Sequence, residues 1–168
     1  IEVLAKKGDP NKFDLPKPIL NKGGCNLSFA GLKTAVLKIS KNIKNEQDKF
    51  NLAASFQKTI EQILHKKTKI AFDEYEKNLN PKKKVLVVAG GVAANKNIRS
   101  MLENLCKDEG YQSVFPPIEL CGDNAAMIAL VGLEKYKLKK FDELDFPAKP
   151  RWALDESAVF LKGAGVKL

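Results

Sequence analysis

The apolar positions in the first half of the chain recur every three to four residues, which is the spacing of one helix face. The pattern runs from Leu32 to Ile43 and again over residues 48–79, and it predicts two helices. The second would be about 45 Å long, so a break near Lys66 is an alternative. Its predicted buried face consists of Leu52, Phe56, Ile60, Ile63, Leu64, Ile70, Ala71 and Tyr75.

After residue 80 the pattern changes to short apolar runs that alternate with helical spacing. Residues 85–89 form a short run of valine, leucine and alanine, which predicts a buried strand that stops at Gly90 and Gly91. Gly110 is suited to end the helix that comes next. The elements predicted beyond the glycines are a helix over 95–107, a short strand over 113–115 and a helix from near Asp123 to about Leu138.

Both ends of the chain contain helix-breaking residues. The first thirty residues include three prolines and three glycines, which favours an extended, irregular segment. Residues 142–168 hold two prolines among scattered apolar positions, which is typical of a tail that wraps a surface. We therefore predict an irregular segment over 1–31, an α/β unit over 32–141 that is rich in helix with a small sheet, and a tail over 142–168.

Composition limits the class of protein. Of the 168 residues, 44% are apolar, which is enough to bury a core, and no apolar run approaches the roughly 20 residues that span a bilayer. No signal-peptide pattern opens the chain, so we expect a soluble, cytoplasmic protein without a membrane partner. Cys25, Cys106 and Cys121 are widely spaced and odd in number, which argues against a disulfide framework or a zinc ribbon. Cys121 is expected to be a buried thiol rather than a ligand.

The net charge of +9 would attract a polyanion such as a nucleic acid. The lysines are spread along the chain, however, and few aromatic residues lie among them to stack on bases. Charge alone therefore leaves nucleic-acid binding and general basicity as alternatives.

Two places in the chain carry residues suited to binding a ligand. A strand that ends at Gly90 and Gly91 before a helix can hold a nucleotide, because glycine lets a ligand approach the backbone and the helix start offers N–H groups. An ordinary strand–loop–helix connection is the alternative. Asn95 at the helix start could cap the helix or contact such a ligand. Asp123, at the predicted start of a later helix, could also be a cap or a functional carboxylate.

Four short motifs follow one another along the chain. They are Ser-Phe-Ala-Gly-Leu-Lys-Thr at 28–34, Gly-Gly-Val-Ala-Ala-Asn at 90–95, Cys-Gly-Asp-Asn-Ala-Ala-Met-Ile-Ala at 121–129 and Pro-Arg-Trp at 150–152. In this order they resemble the motifs of the TsaD family, the tRNA N6-adenosine threonylcarbamoyltransferases once named glycoproteases. Ala30 is found where many relatives have serine.

The resemblance implies the actin/sugar-kinase/Hsp70-like (ASKHA) fold, of which this chain would form the C-terminal lobe. Proteins of the family carry a His-x-x-x-His metal-binding pair in their N-terminal half, whereas the single histidine here is His65, expected to be solvated. The chain also begins at Ile1 rather than at a methionine. We therefore expect roughly the C-terminal half of a TsaD protein, which would hold half of an active site and be inactive alone.

The resemblance also implies roles for individual residues. The nucleotide-binding residues would be Gly90, Gly91 and Asn95. Asp123 would be one ligand of a divalent metal, iron in preference to zinc, shared with histidines that this chain does not contain. Asn124 and Lys33 are candidate supporting residues, and no catalytic residue is assigned.

The implied reaction moves the threonylcarbamoyl group from threonylcarbamoyl-AMP to N6 of the adenosine beside the tRNA anticodon, with a metal offsetting charge on the carbamoyl oxygen. The partners would be tRNA, TsaB-like and TsaE-like subunits, and the N-terminal half of the same protein. Arg151 and Trp152 would dock the tail, or the arginine would meet tRNA phosphate. A non-catalytic ASKHA-like nucleotide-binding or scaffold subunit is the alternative.

Overall fold

The computed structural model describes residues 1–148, which fall into two compact units, Ile1–Gly122 and the residues from Asp123 onward. The first unit contains helices α1 (Glu2–Ala5), α2 (Ala30–Ser40), α3 (Glu46–Leu79) and α4 (Lys96–Asp108), and strands β1 (Val85–Val87) and β2 (Gln112–Val114). The second unit contains α5 (Ala125–Lys137). The prediction of a helix-rich α/β fold with a small sheet is confirmed. None of the described helices combines the length and apolarity that crossing a membrane requires.

Helix α3 is continuous over 34 residues, so the alternative of a break near Lys66 is wrong. It begins two residues before the predicted start because Asn45 caps it. The Asn45 side chain accepts a hydrogen bond from the backbone N–H of Asp48 at 2.7 Å. The helix ends before Asn80, whose φ of 42° is left-handed and turns the chain away from the helix axis.

Two clusters of buried side chains pack along α3. The first cluster joins α3 to α2 and to the segment before α2, and it consists of Leu15, Leu32, Leu52 and Ile63. The second cluster joins α3 to α4 and the sheet, and it consists of Phe72, Ile98, Leu102, Leu105, Cys106 and Tyr111. Ile60 packs against both clusters, so one helix supplies a wall to the whole core of the first unit.

The buried face of α3 differs from the predicted face near the C-terminal end of the helix. Phe72 is 5% exposed and stacks on Tyr111 with ring centroids 3.7 Å apart. The predicted Tyr75 is 38% exposed, and Ile70 is only half-buried. Because Tyr111 directly precedes β2, the position of the sheet decides which face of α3 is covered, and apolar spacing alone does not contain that information.

Residues 1–24, which lie in the segment predicted to be irregular, are tied to α3 by its polar side chains. The Asn51 side chain accepts a hydrogen bond from the backbone N–H of Asp9 at 2.9 Å. The Lys67 ammonium donates to the carbonyl oxygens of Lys22 and Gly24 at 2.7 and 2.9 Å. These bonds explain why Asn51 and Lys67 are buried although both are polar, since buried polar groups require partners.

The sheet consists of β1 and β2 in parallel, with Val85 opposite Gln112 and Val87 opposite Val114. The prediction that the first strand is buried is wrong, because Val85 and Val87 are 41% and 65% exposed. Within residues 1–148, β1 pairs with β2 alone, which leaves one edge of β1 without a hydrogen-bonded neighbour.

Helix α4 ends as predicted at Gly110, whose φ of 73° suits glycine. The backbone N–H of Tyr111 donates to the Cys106 carbonyl at 2.7 Å, and that of Gly110 donates to the Lys107 carbonyl at 3.4 Å. This pair of bonds is a Schellman motif, and it returns the chain directly into β2.

We predict that Gly8→Ala destabilises the chain, because a Cβ at residue 8 would overlap the backbone carbonyl of Phe50 on α3. Overpacking of this kind typically costs about 1–3 kcal/mol, and it should appear as a lower midpoint in urea unfolding. Gly23→Ala is the matched control, because its Cβ would meet no atom within 4 Å. Equal midpoints for the two variants would show that the backbone at Gly8 does not pack against Phe50 in solution.

Candidate nucleotide site

Strand β1 leads into a tight turn at residues 90–95, here called the glycine turn. Gly90 has a φ of 87°, and the chain then forms a 3-10 helix over Gly91–Ala94. This turn is closed by a hydrogen bond from the backbone N–H of Ala93 to the Gly90 carbonyl at 2.9 Å. A Cβ at Gly90 or Gly91 would have no atom within 4 Å, so the backbone of both glycines is open to an approaching molecule.

A cleft of about 460 Å³ lies beside the glycine turn. Such a volume suits a nucleoside-sized ligand. Its walls are mostly apolar, and their polar side chains are the amides of Gln57 and Asn95 and the carboxylate of Glu2. The lining residues are Ile1 and Glu2 from the start of the chain, Phe56, Gln57 and Ile60 from α3, Gly91, Val92, Ala94 and Asn95 from the turn, and Ile98 from α4.

Asn95 caps α4, which was one of its two predicted roles. Its Oδ1 accepts hydrogen bonds from the backbone N–H groups of Asn97 and Ile98 at 3.0 and 3.1 Å. Its Nδ2 donates to Gln57 Oε1 at 3.0 Å, which links the turn to α3. The side chain also lines the cleft. Its contact with a nucleotide stays a prediction.

One turn further along α3 from Gln57 lies Glu61, a carboxylate that no sequence motif marks. Burial raises the pKa of Glu61, and hydrogen bonds from the side chains of Gln57 and Asn97 lower it only in part. Its Oε1 is buried and has no hydrogen-bond partner among residues 1–148. A single glutamate within a long amphipathic helix has no distinctive sequence signal, so only the fold identifies it.

Helix α5 begins at Ala125 rather than near Asp123, because Asn124 is its cap. The Asn124 side chain accepts a hydrogen bond from the backbone N–H of Met127 at 3.1 Å. The capping role considered for Asp123 is therefore filled by its neighbour, and Asp123 is exposed just before the helix. The metal-binding role of Asp123 stays a prediction. Within residues 1–148, no three side chains of metal-ligand type are gathered in one place.

The structure tests the predicted environments of some of the other candidate residues. Cys121 is 2% exposed, which confirms the predicted buried thiol, and His65 is exposed as expected. Lys33 is exposed on α2 and is not among the residues that line the cleft. Arg151 and Trp152 lie outside the described residues.

Arg99 is a further residue that the sequence reasoning missed. Its guanidinium contacts both the glycine turn and Cys121. The available signal was compositional, because the chain has only two arginines among its 29 basic side chains.

A model of the TsaD family, described as tRNA N6-adenosine threonylcarbamoyltransferase, matches residues 1–130 of this chain. Proteins of that name from Pelagibacter ubique and Rickettsia rickettsii are similar to it. The first is 73% identical over all 168 residues, and the second is 50% identical over 159 residues, or 93% of the chain. The chain spans about half the length of these relatives, 47% and 46% respectively.

We predict that Asn95→Ala lowers the stability of the chain by about 1 kcal/mol, because two N–H groups of α4 lose their acceptor. Asn95→Ser keeps a short side-chain oxygen that accepts from the start of α4, and like Asn95→Ala it loses the bond to Gln57, so the difference between the two variants reports the cap alone. Urea unfolding of the wild type and the two variants gives the comparison. An Ala variant as stable as the Ser variant would contradict the capping role.

A second prediction concerns pH. The pKa of Glu61 is raised above its ordinary value of 4.5, so the folded state holds the proton more tightly than the unfolded state does. Stability should therefore fall as the pH rises from about 4.5 through the folded pKa. Glu61→Gln removes this loss, and its unfolding midpoint should exceed that of the wild type at neutral pH but not below pH 4.5.

The exposed Glu103 on α4 provides the control for this experiment. Glu103→Gln should change the midpoint little at either pH, because an exposed side chain is solvated in both the folded and unfolded states. A Glu61→Gln variant that is less stable than the wild type at neutral pH would show that the carboxylate is well accommodated in its charged form.

Proposed function

Because this chain belongs to the TsaD family, we propose that it forms the adenylate-binding part of a tRNA-modifying transferase. The proposed substrate is threonylcarbamoyl-AMP, and the proposed acceptor is N6 of the adenosine beside the tRNA anticodon. In this proposal the chain is the C-terminal lobe of an ASKHA fold. It works in the cytoplasm together with the part of the family's protein that it does not span.

The observation that carries the proposal is the open glycine turn beside the apolar cleft. Apolar walls accept the face of an adenine ring. Asn95 Nδ2 gives one of its two hydrogens to Gln57, and the second is the one proposed to bond the edge of the ring. The exposed backbone at Gly90 and Gly91 allows ribose and phosphate to lie close to the main chain. These features support an adenylate as the ligand.

The proposed reaction is an acyl transfer that balances without a redox step. The N6 amine attacks the carbamoyl carbon, and the bond from that carbon to the phosphate oxygen breaks. AMP leaves with the electron pair, and the nitrogen loses one proton. AMP leaves as a phosphate anion that is stable without protonation, so the transfer does not require a strong general acid.

Asp123 is proposed as one ligand of a divalent metal, iron in preference to zinc, with the others supplied by histidines of the family that this chain does not contain. The described residues do not form a complete metal site by themselves. When bound, such a metal would supply positive charge beside the carbamoyl oxygen.

The proposed macromolecular partners are tRNA and the TsaB-like and TsaE-like subunits. The net charge of +9 supports a polyanionic substrate such as tRNA, since a basic protein attracts polyanions.

A chimera tests the proposal directly. This chain would replace the matched part of the Pelagibacter ubique relative, to which it is 73% identical. We expect the chimera to convert adenosine in tRNA to its threonylcarbamoyl form, measured by mass spectrometry of digested tRNA, with one AMP released per modification. Binding of AMP without transfer would favour the non-catalytic alternative. A chimera that shows no AMP binding and no transfer would overturn the proposal.

Within the chimera, Asp123→Asn should lower the transfer rate on the order of 100-fold, the typical effect of removing a group that stabilises transition-state charge. The control is Glu119→Gln, which removes an exposed carboxylate four residues earlier and should leave the rate unchanged. Equal rates for Asp123→Asn and the wild type would show that Asp123 is not a metal ligand.

A further inference from the structure

Arg99, on the first turn of α4, makes four contacts with one guanidinium group. Its Nε donates to the Ala93 carbonyl at 3.2 Å, and its Nη2 donates to the Pro116 carbonyl at 3.2 Å. The same Nη2 lies 3.6 Å from Cys121 Sγ. The group also lies 4.5 Å from the centroid of the Phe115 ring, a cation–π distance.

These contacts join two segments that are distant in sequence. Ala93 belongs to the glycine turn, whereas Phe115, Pro116 and Cys121 belong to the segment that follows β2. Cys121 is buried, and its thiol also lies 3.5 Å from the Pro117 carbonyl. Residues 115–121, here called the proline segment, lead directly along the chain to Asp123. One side chain therefore holds the glycine turn to the proline segment.

The chemistry of this position requires arginine. The chain has 27 lysines and two arginines, so lysine is its ordinary basic residue. A lysine ammonium is a compact point charge, whereas the planar guanidinium directs N–H groups to separate acceptors and stacks on an aromatic ring. Only the planar group can reach Ala93 and Pro116 in different directions while it covers Phe115.

We propose that Arg99 is a positioning residue that makes the glycine turn and the proline segment move as one body. This inference rests on the proposed function, in which the glycine turn holds the adenylate and the proline segment leads to Asp123. Arg99 then fixes the glycine turn in the shape that accepts the adenylate.

Hydrogen–deuterium exchange of this chain tests the coupling without any ligand. In Arg99→Lys, amide exchange should rise about tenfold in both the glycine turn and residues 118–122. The two guanidinium hydrogen bonds are absent from the variant, so opening either segment requires less free energy. The C-terminal turns of α4 should exchange at the wild-type rate. The control is Lys107→Arg, which swaps the same two residue types at an exposed position of the same helix. It should leave the amide exchange rates of both segments unchanged. A rise in only one of the two segments, or in neither, would overturn the proposal.

The transfer assay of the chimera gives the functional readout. Arg99→Lys should raise the KM for threonylcarbamoyl-AMP about tenfold and leave the KM for tRNA unchanged. A loss of kcat alone, with both KM values at the wild-type level, would indicate a structural role only and would overturn the positioning role. If the wild-type chimera does not transfer, the proposed function fails, and the exchange experiment still decides whether Arg99 couples the two segments.

Discussion

The continuity of α3 is the constraint on which the rest of the first unit depends. Helices α1, α2 and α4 all pack against it, and both clusters of buried side chains use it as a wall. Residues 1–24 form little regular structure, and polar side chains of α3 hydrogen-bond to their backbone groups. A break in α3 would separate the two clusters and remove one wall of the cleft.

The same helix links stability to the candidate site. Phe56 and Ile60 line the cleft and also pack against the first cluster, so their burial serves the core and the cleft at once. Gln57 connects α3 to Asn95 at the glycine turn, and it also hydrogen-bonds Glu61, a carboxylate with a raised pKa one turn further along α3. Glu61 is only half-buried, but its Oε1 is inaccessible and lacks a partner among residues 1–148, which disfavours the charged form.

Local rules predicted the elements whose signals are local. The strand, the paired glycines and the capped helix after them were all correctly placed, as was Gly110 at the end of α4. The observed starts of α3 and α5 differ from the predicted starts by two residues each. Several polar residues near each start could serve as the cap, and the sequence alone does not show that Asn45 and Asn124 do so.

Features that depend on contacts between distant segments were not predictable. Lys67 is buried because it finds two carbonyl oxygens more than forty residues away, and Phe72 is buried because Tyr111 stacks on it. Arg99 carries no motif of its own, and its importance appears only when Ala93, Pro116 and Cys121 are seen around it. In the sequence these residues are an ordinary lysine, phenylalanine and arginine.

The proposed adenylate would lie in the cleft beside the glycine turn. Binding there can be measured by titrating the isotopically labelled chain with AMP while following its backbone and side-chain amide resonances. We expect saturable shifts at Gly90, Gly91 and Asn95 and at the side-chain amide of Gln57, with little change around Lys33. Saturable shifts confined to another part of the chain, or none at millimolar AMP, would rule this site out.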